Sequence, residues 1–432
     1  MKLSGWGNYP TSESTVRRFD DVEALQNIIS ESDGLIARGN GRSYGDSSLG
    51  PQVVDVRRHD LFLGFDEATG VLTVQAGVLL AEILDVFVPR GWFLAVTPGT
   101  KLITVGGAIA SDVHGKNHHV GGCFSECVES FDLVTATGDL CRCSRSEHKE
   151  LFLATCGGMG LTGIIVSARI RLQRIDSSTI MQTTVKSRDL DATLAAFEDH
   201  AAKTYSVAWI DCLAEGRALG RSILTAGDFS DDGNFEYRSP ARHRVPAWFP
   251  SVLVNRLSAR AFNAMYFGRV RETESHQSVD INSFFYPLDA IDNWNCVYGR
   301  KGFVQYQFVL PKTESEAGIA EILSLASRSG PGSFLAVIKL CGPGNDNLIS
   351  FPIEGYSVAL DFKVVDGLFA HLDALDELVM KYGGRIYLTK DARAKTAVFA
   401  AGYPRWEEFR ALRKEHGMDR KFVSLQSQRL EI

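Results

Sequence analysis

Apolar residues in the first part of the chain alternate between two spacings. Across Asp21–Ser32, Val22, Leu25, Ile28 and Ile29 recur at the spacing of one helix face. Leu79–Val88 reads as a second helix, closing near Pro89 and Gly91. Between them Leu35–Ala37, Val53–Val56 and Val71–Gln75 are short apolar runs of strand length. Phe131–Arg142 reads as a hairpin turning at Thr137-Gly138-Asp139. The clearest strand follows, with Ile164, Val166, Ala168, Ile170 and Leu172 on one face and Ser167, Arg169, Arg171 and Gln173 on the other. The pattern changes near Ile175. From there to about Gly384, strands are expected to be longer and helices fewer. Val304, Tyr306 and Phe308 alternate with Gln305 and Gln307, and Ser357–Val364 is a further strand candidate. This mixture predicts an α+β fold, not a single parallel wound sheet.

At 432 residues the chain is long enough for two or more domains with sizeable cores. With 45% hydrophobic and 23% charged residues it reads as a globular protein. The net charge of -6 argues against a general nucleic-acid binder. Met1–Trp6 has no apolar core of a signal peptide, and no apolar run reaches bilayer length. The eight cysteines form no disulfide pattern and read as reduced structural thiols, which predicts a cytoplasmic setting. One segment departs from the acidic average. Every charged residue from Arg238 to Arg271 is basic: Arg238, Arg242, Arg244, Arg256, Arg260, Arg269 and Arg271. They are interleaved with Trp248, Phe249, Val252, Leu253, Leu257, Phe262, Met265, Tyr266 and Phe267. Such a segment, potentially helical, can lie on an anionic membrane or cover a lipid-like ligand. The other reading is a buried helix with a solvated arginine edge.

Three glycine-rich stretches carry candidate chemistry. In Ala37–Asp46 the glycines at 39, 41 and 45 leave room for backbone N–H groups to close on a phosphate. The third glycine falls one residue late for the G-x-G-x-x-G fingerprint, so a Rossmann site is not expected. An ordinary glycine turn is the alternative. Thr97–Ala110 and Cys156–Gly163 are the other two stretches, and together the three suggest an extended ligand along a backbone-lined groove. Gly115-Lys116 is not a Walker loop, because Ala110 and Asn117 stand where Gly and Ser/Thr are needed. His114 and His118 would share a helix face, yet no carboxylate or cysteine set completes a metal site, and none is expected. Arg385–Asp391 reads as a short strand ending in a charged pair. Lys390 there either acts on a substrate hydroxyl or pairs with its neighbour. Gln305, Gln307 and Lys339 are polar positions on otherwise apolar strands, a pattern that lines pockets.

Taken together, these residues resemble the flavin-dependent oxidases of the vanillyl-alcohol-oxidase type, with a PCMH-type FAD-binding domain. The resemblance runs through Leu3–Gly7, Arg38–Asp46, Val113–His119, Gln305–Phe308, Lys390-Asp391 and Gln428–Glu431, and so covers the whole chain. It implies a two-part FAD-binding domain, 1–177 and 385–432, with an antiparallel-sheet substrate domain inserted at 178–384. It implies FAD contacts at Ala37, Arg38, Gly39, Asn40, Gly41, Arg42, Ser43, Tyr44, Gly45, Asp46 and Ser47. Further contacts fall on Pro98, Gly99, Thr104, Val105, Gly106, Gly107, His114, Gly115, Lys116, Asn117, His118, His119, Gly121, Ile165 and Tyr387. Many relatives bond FAD to a histidine; Arg42 takes that place here, which implies non-covalent FAD. Lys390, Tyr44 and His114 are the implied catalytic residues, and Lys116, Gln307, Lys339 and Lys390 the implied substrate contacts. The implied reaction is oxidation of a sugar hydroxyl, the 2′-hydroxyl of a polyprenylphosphoryl-β-D-ribose, to a ketone in arabinose-donor formation. A short-chain NAD(P)H-dependent reductase would act next, and residues 238–271 would touch the membrane. A pocket cysteine and asparagine of the family fall on Ala359 and Ser357, which leaves room for another sugar or polyol. A non-catalytic FAD-binding subunit is the third reading.

Overall fold

Helix Val22–Glu31 starts where the Asp21 carboxylate accepts from the Ala24 N–H at 2.8 Å, satisfying one of the free amides of its first turn. It buries Leu25 and Ile29 against the N-terminal core. The computed structural model describes residues 1–238, 243–246, 248–329, 332–333 and 335–432. The first sheet is small and parallel, with Gln52–Asp55 between Thr15–Arg18 and Leu35–Arg38. The second is antiparallel, in the order Leu140–Ser144, Val128–Val134, Ile164–Arg174, Val71–Gln75, Phe62–Asp66, with Trp92–Leu94 also on Ile164–Arg174. Ile164, Val166, Ala168, Ile170 and Leu172 are all buried on this sheet, as their alternation requires.

The third sheet is antiparallel throughout. Its order is Glu274–Asp280, Thr179–Ser187, Ser222–Phe229, Tyr205–Ile210, Ala336–Cys341, Gly355–Lys363, Phe303–Pro311, Arg385–Ile386. One face is apolar: Val304, Tyr306, Phe308, Ile338, Val358 and Leu360 share a core with Ile319, Leu323, Leu372 and Leu375 of two helices. Because side chains alternate, Gln305, Gln307, Val337, Lys339 and Ala359 take the other face, and all five line a cavity. The expectation of few helices in this half fails. Lys312–Ser329 and Leu368–Lys381 are there, 18 and 14 residues long, because a broad sheet face this apolar has to be covered.

The chain ends pack together. Leu35 bridges Phe422 in parallel, and Ile36 and Val53 share a cluster with Phe399, Phe409 and Leu430. The Arg413 guanidinium is fully buried and donates to the carbonyls of Leu161 and Phe422 at 3.0 and 2.7 Å. All eight cysteines are free thiols. Among the described residues no helix is long and apolar enough to cross a membrane.

Of the basic segment, Arg256–Gly268 is helical, His243–Arg244 is a short strand and Ser251–Leu253 a single 3-10 turn; Arg242 lies outside the described residues. The buried-helix reading is not borne out. Ala259 and Asn263 are buried, whereas Trp248 (81% exposed), Leu257 (79%), Val252 (75%) and Met265 (66%) face outward. Arg256 and Arg260 meet Glu215 from outside the segment.

Candidate active site

The glycine loop leaves strand Leu35–Arg38 and returns to Gln52–Asp55. Gly41 has φ +62°, and a Cβ there would lie 2.3 Å from Arg38 Nη2. Arg38 turns away from the cavity and holds the loop from behind, donating to the Ser4 carbonyl at 2.7 Å and to Ser48 Oγ at 3.2 Å. Asn40 donates to the Leu102 carbonyl at 2.8 Å, tying this loop to the second glycine stretch. Gly157 and Met159 of the third stretch donate to the carbonyls of Ile109 and Ala110 at 3.0 and 2.8 Å. All three stretches therefore border one cavity of about 750 Å³, well within the range of cofactor and ligand sites.

Gly45 fixes the far end of the loop. A Cβ on it would sit 1.8 Å from the Asp391 carbonyl oxygen, so only glycine allows the approach. The Tyr44 N–H donates to the Thr389 carbonyl at 3.0 Å. Asp46 is buried and faces away from the cavity. It takes two hydrogen bonds from Arg429, at 3.0 and 2.8 Å, and Arg429 also meets Asp391 at 2.9 Å. Asp391 is thus paired with Arg429, not with its neighbour Lys390. The segment around Lys390 is also not strand: only Arg385–Ile386 is, and a turn follows in which Lys390 N–H donates to Tyr387 at 3.0 Å. That turn brings Lys390 Nζ over the Tyr44 ring, 3.8 Å from its centre.

Lys116, Lys339 and Lys390 line the cavity with Gln307 and His114. Gln307 Nε2 lies 3.2 Å from His114 Nε2 and donates to Ser357 Oγ at 3.1 Å. Lys116 donates to the Phe284 carbonyl and stands 4.3 Å from that ring. Withdrawal from bulk water lowers all three amines, and Lys339 adds repulsion to the other two. Lys116 and Lys390 are held at about 7, and the Asp361 carboxylate keeps Lys390 from falling further. Burial, with Lys339, His118 and Lys390, pushes His114 well below its ordinary value, so it is neutral. Tyr44 is pushed up by the same desolvation and remains a phenol.

Of the FAD contacts expected from the sequence, Ala37, Gly39, Asn40, Gly41, Arg42, Ser43, Tyr44, Ser47, Pro98, Gly99, Thr104, Gly106, Gly107, His114, Gly115, Lys116, Ile165 and Tyr387 border the cavity. Arg38, Gly45, Asp46, Val105, Asn117, His118, His119 and Gly121 do not. His118 and His119 are engaged elsewhere: His118 Nδ1 accepts from Gly342 N–H at 3.1 Å, and His119 Nε2 meets the Lys203 carbonyl at 2.9 Å. His114 and His118 do not share a helix face, since the helix begins at His118; their rings stand 6.2 Å apart at 89°. Among the described residues no group of three or more His, Cys, Asp or Glu is placed to hold a metal ion. Phe262 and Tyr266 of the basic aromatic segment also line the cavity, with Trp209, Leu288 and Trp294, which the sequence did not single out; nor did it single out Asp361. Its signal was the alternation of Ser357, Asp361 and Lys363 within an apolar strand.

The loop fits a pyrophosphate. The backbone N–H groups of Gly39, Asn40, Gly41 and Ser43 meet no acceptor among the described residues, although they border the cavity. Donors left unpaired in a glycine turn require a ligand or water, and anionic oxygens suit them best. His114 Nδ1 is a further buried polar atom without a partner.

Residues 14–144 match the model of a family described as an FAD binding domain. Fold, loop and match together define an FAD-dependent oxidoreductase. The chain is 35% identical to decaprenylphosphoryl-beta-D-ribose oxidase of Mycolicibacterium smegmatis, over 100% of this chain and 97% of that protein. It is 30% identical to an uncharacterised protein of Streptomyces coelicolor, over 82% of this chain and all of that one. A human delta(24)-sterol reductase is 31% identical over 43% of this chain and 36% of its own length. The chain belongs to the family of FAD-linked oxidoreductases that includes decaprenylphosphoryl-beta-D-ribose oxidase.

Proposed function

We propose that this enzyme oxidises the 2′-hydroxyl of a polyprenylphosphoryl-β-D-ribose to a ketone, with non-covalent FAD as the oxidant. The observation that carries the reading is the meeting of Lys390 with Tyr44 of the glycine loop, inside the cavity that this loop helps to line. In this reading residues 1–177 and 385–432 hold FAD, and 178–384 is an inserted substrate domain. Bound FAD supplies the two-electron acceptor that no side chain here can provide. Lys390, uncharged above about pH 7, takes the proton of the hydroxyl on Nζ. Tyr44 fixes that amine from beneath. Gln307 and neutral His114 orient the sugar by hydrogen bonds, and Lys116 and Lys339 attract its phosphate. Arg42, 4.0 Å over the Trp6 ring, stands where relatives bond FAD, so FAD should leave on denaturation without a protein adduct.

The exposed apolar and arginine side chains of 244–271 support contact between this face and an anionic membrane, with the prenyl chain entering past Phe262 and Tyr266 at the cavity mouth. A 2′-ketone product calls for a reductase that acts on it next, and a nicotinamide-dependent partner suits that step. Anaerobic bleaching of the bound yellow cofactor is the test. Bleaching by a polyprenyl-phosphoribose but not by ribose 5-phosphate or a free polyol supports the reading. Equal bleaching by a free sugar or polyol moves the function to a lipid-free substrate, which Ala359 and Ser357 in the pocket wall would then explain. The rate should rise with pH and level off above about 7, because the base is the neutral amine.

A further inference from the structure

Asp112 stands two residues before His114 and has no exposure at all. Its backbone lies in the left-handed region, with φ +38°. It follows helix Val105–Ala110 and its cap Ser111, and its N–H donates to the Ile109 carbonyl at 3.0 Å. That is the place just past a helix end where glycine is the usual residue. A buried, branched-tip side chain kept there under strain calls for a reason in its contacts. Those contacts are on the carboxylate. Oδ1 accepts from the Ser125 N–H at 3.0 Å. Oδ2 accepts from Asn345 Nδ2 at 2.8 Å, Asn347 Nδ2 at 2.7 Å and Ser350 Oγ at 2.7 Å. Hydrogen bonds to an ionised acceptor are the strong ones. One side chain therefore fastens three residues of segment 342–354, which joins strands Ala336–Cys341 and Gly355–Lys363.

The fastened segment carries Phe351 to the cavity from behind. The Phe351 ring stacks on Tyr387, 4.5 Å between centres at 25°, and lies 5.4 Å from the His114 ring. Tyr387 and His114 are 5.1 Å apart, and the Tyr387 hydroxyl donates to the Ser111 carbonyl at 3.1 Å. His114 and Tyr387 border the cavity, whereas Asp112 and Phe351 do not. We propose that Asp112 is a positioning residue: its carboxylate holds the 345–350 stretch so that Phe351 sets the tilt of His114 and Tyr387 in the cavity wall. This rests on the sugar-orienting role given to His114 above. The left-handed turn is needed because it aims a carboxylate from the end of a helix at a segment that is remote in sequence.

Asp112→Gly separates the two uses of this residue, since glycine suits φ +38° but removes the carboxylate. It is compared with Phe351→Leu and with the double variant, all loaded with FAD. Two readouts serve: the visible circular dichroism of the bound cofactor, which needs no substrate, and the rate of reduction by polyprenyl-phosphoribose per bound FAD. Both single variants should change the dichroism in the same sense and slow reduction about tenfold or more. The double variant should lose no more than the worse single one. A merely structural loss lowers the FAD-loaded fraction and leaves the rate per bound FAD as it was. Asp112→Gly with unaltered dichroism and rate overturns the proposal, because the residue then serves the turn alone. Losses that multiply in the double variant also overturn it, because Asp112 then does not act through Phe351. The expected dichroism with no effect on reduction, or with no reduction even in the unaltered protein, supports the positioning and overturns instead the role of His114 or the substrate proposed above. If Asp112→Gly does not fold, Asn347→Ala with Ser350→Ala removes two of the donors and should change the dichroism in the same sense. No change in that folded variant overturns the proposal.

Discussion

The two walls of the cavity work by different means. The wall of Gly39–Ser43, Gly99 and Gly106-Gly107 offers backbone amides, small side chains and Arg42, while the charged residues flanking the loop are tied elsewhere: Arg38 to Ser4 and Ser48, Asp46 to Arg429. The other part of the lining, from strands 303–311, 336–341 and 355–363 and the turn at Lys390, carries Gln305, Gln307 and Lys339 on the sheet and Lys390 on the turn. Backbone donors suit a large ligand of fixed shape, because they hold it without competing for its protons. Buried amines suit chemistry, because desolvation brings them into the range where a proton can move at neutral pH. In the proposed reading cofactor binding and proton transfer would fall mainly on separate elements; Gly45 and Arg429 both meet the Asp391 turn.

That turn is where the contrast breaks most severely. Arg429→Met leaves the Asp46 and Asp391 carboxylates buried together and should cost about 3–5 kcal/mol in urea unfolding. A loss under about 1 kcal/mol would mean that another contact joins the walls. Gly41→Val forces a β-branched residue to φ +62° and against Arg38, a strain of about 1–3 kcal/mol. FAD affinity, read from flavin fluorescence, should weaken about ten- to a hundredfold. Gln307→Leu attacks the other wall, leaving Ser357 Oγ and His114 Nε2 short of a partner. It should lower kcat/KM by about 1–2 kcal/mol while FAD content stays full; loss of FAD instead would show that the two walls are not separate. The smallest effect is expected outside the cavity. Leu257→Glu should weaken binding to phosphatidylglycerol vesicles by about three- to tenfold, in a flotation assay. Unchanged binding would take the arginine face out of membrane contact.

The backbone wall was the more legible of the two in sequence. Glycine spacing is local, so the loop at 37–47 and its departure from the Rossmann pattern could be seen directly. The strands that carry the side-chain wall were legible too, since polar residues interrupt an alternating apolar pattern at Gln305, Gln307 and Lys339. Pairings across the chain were not. Asp391 looks like a partner for Lys390 because it is adjacent, yet Arg429, 38 residues away in sequence, takes it. His114 and His118 have helical spacing, but the helix starts one turn late. Asp361 lay unnoticed because its register opposite Gln305 exists only once the sheet is formed. The long helices at 312–329 and 368–381 were missed because their weak amphipathic pattern reflects a sheet face that sequence does not display.

The central claim is that Lys390 takes the hydroxyl proton at the FAD site. Stopped-flow anaerobic reduction of Lys390→Met, saturated with FAD and mixed with polyprenyl-phosphoribose, tests it most directly. Bleaching should slow by about 10²–10⁴-fold with the visible spectrum of the oxidised cofactor unchanged. Bleaching at the rate of the unmodified protein, with its rise toward pH 7 retained, would contradict it.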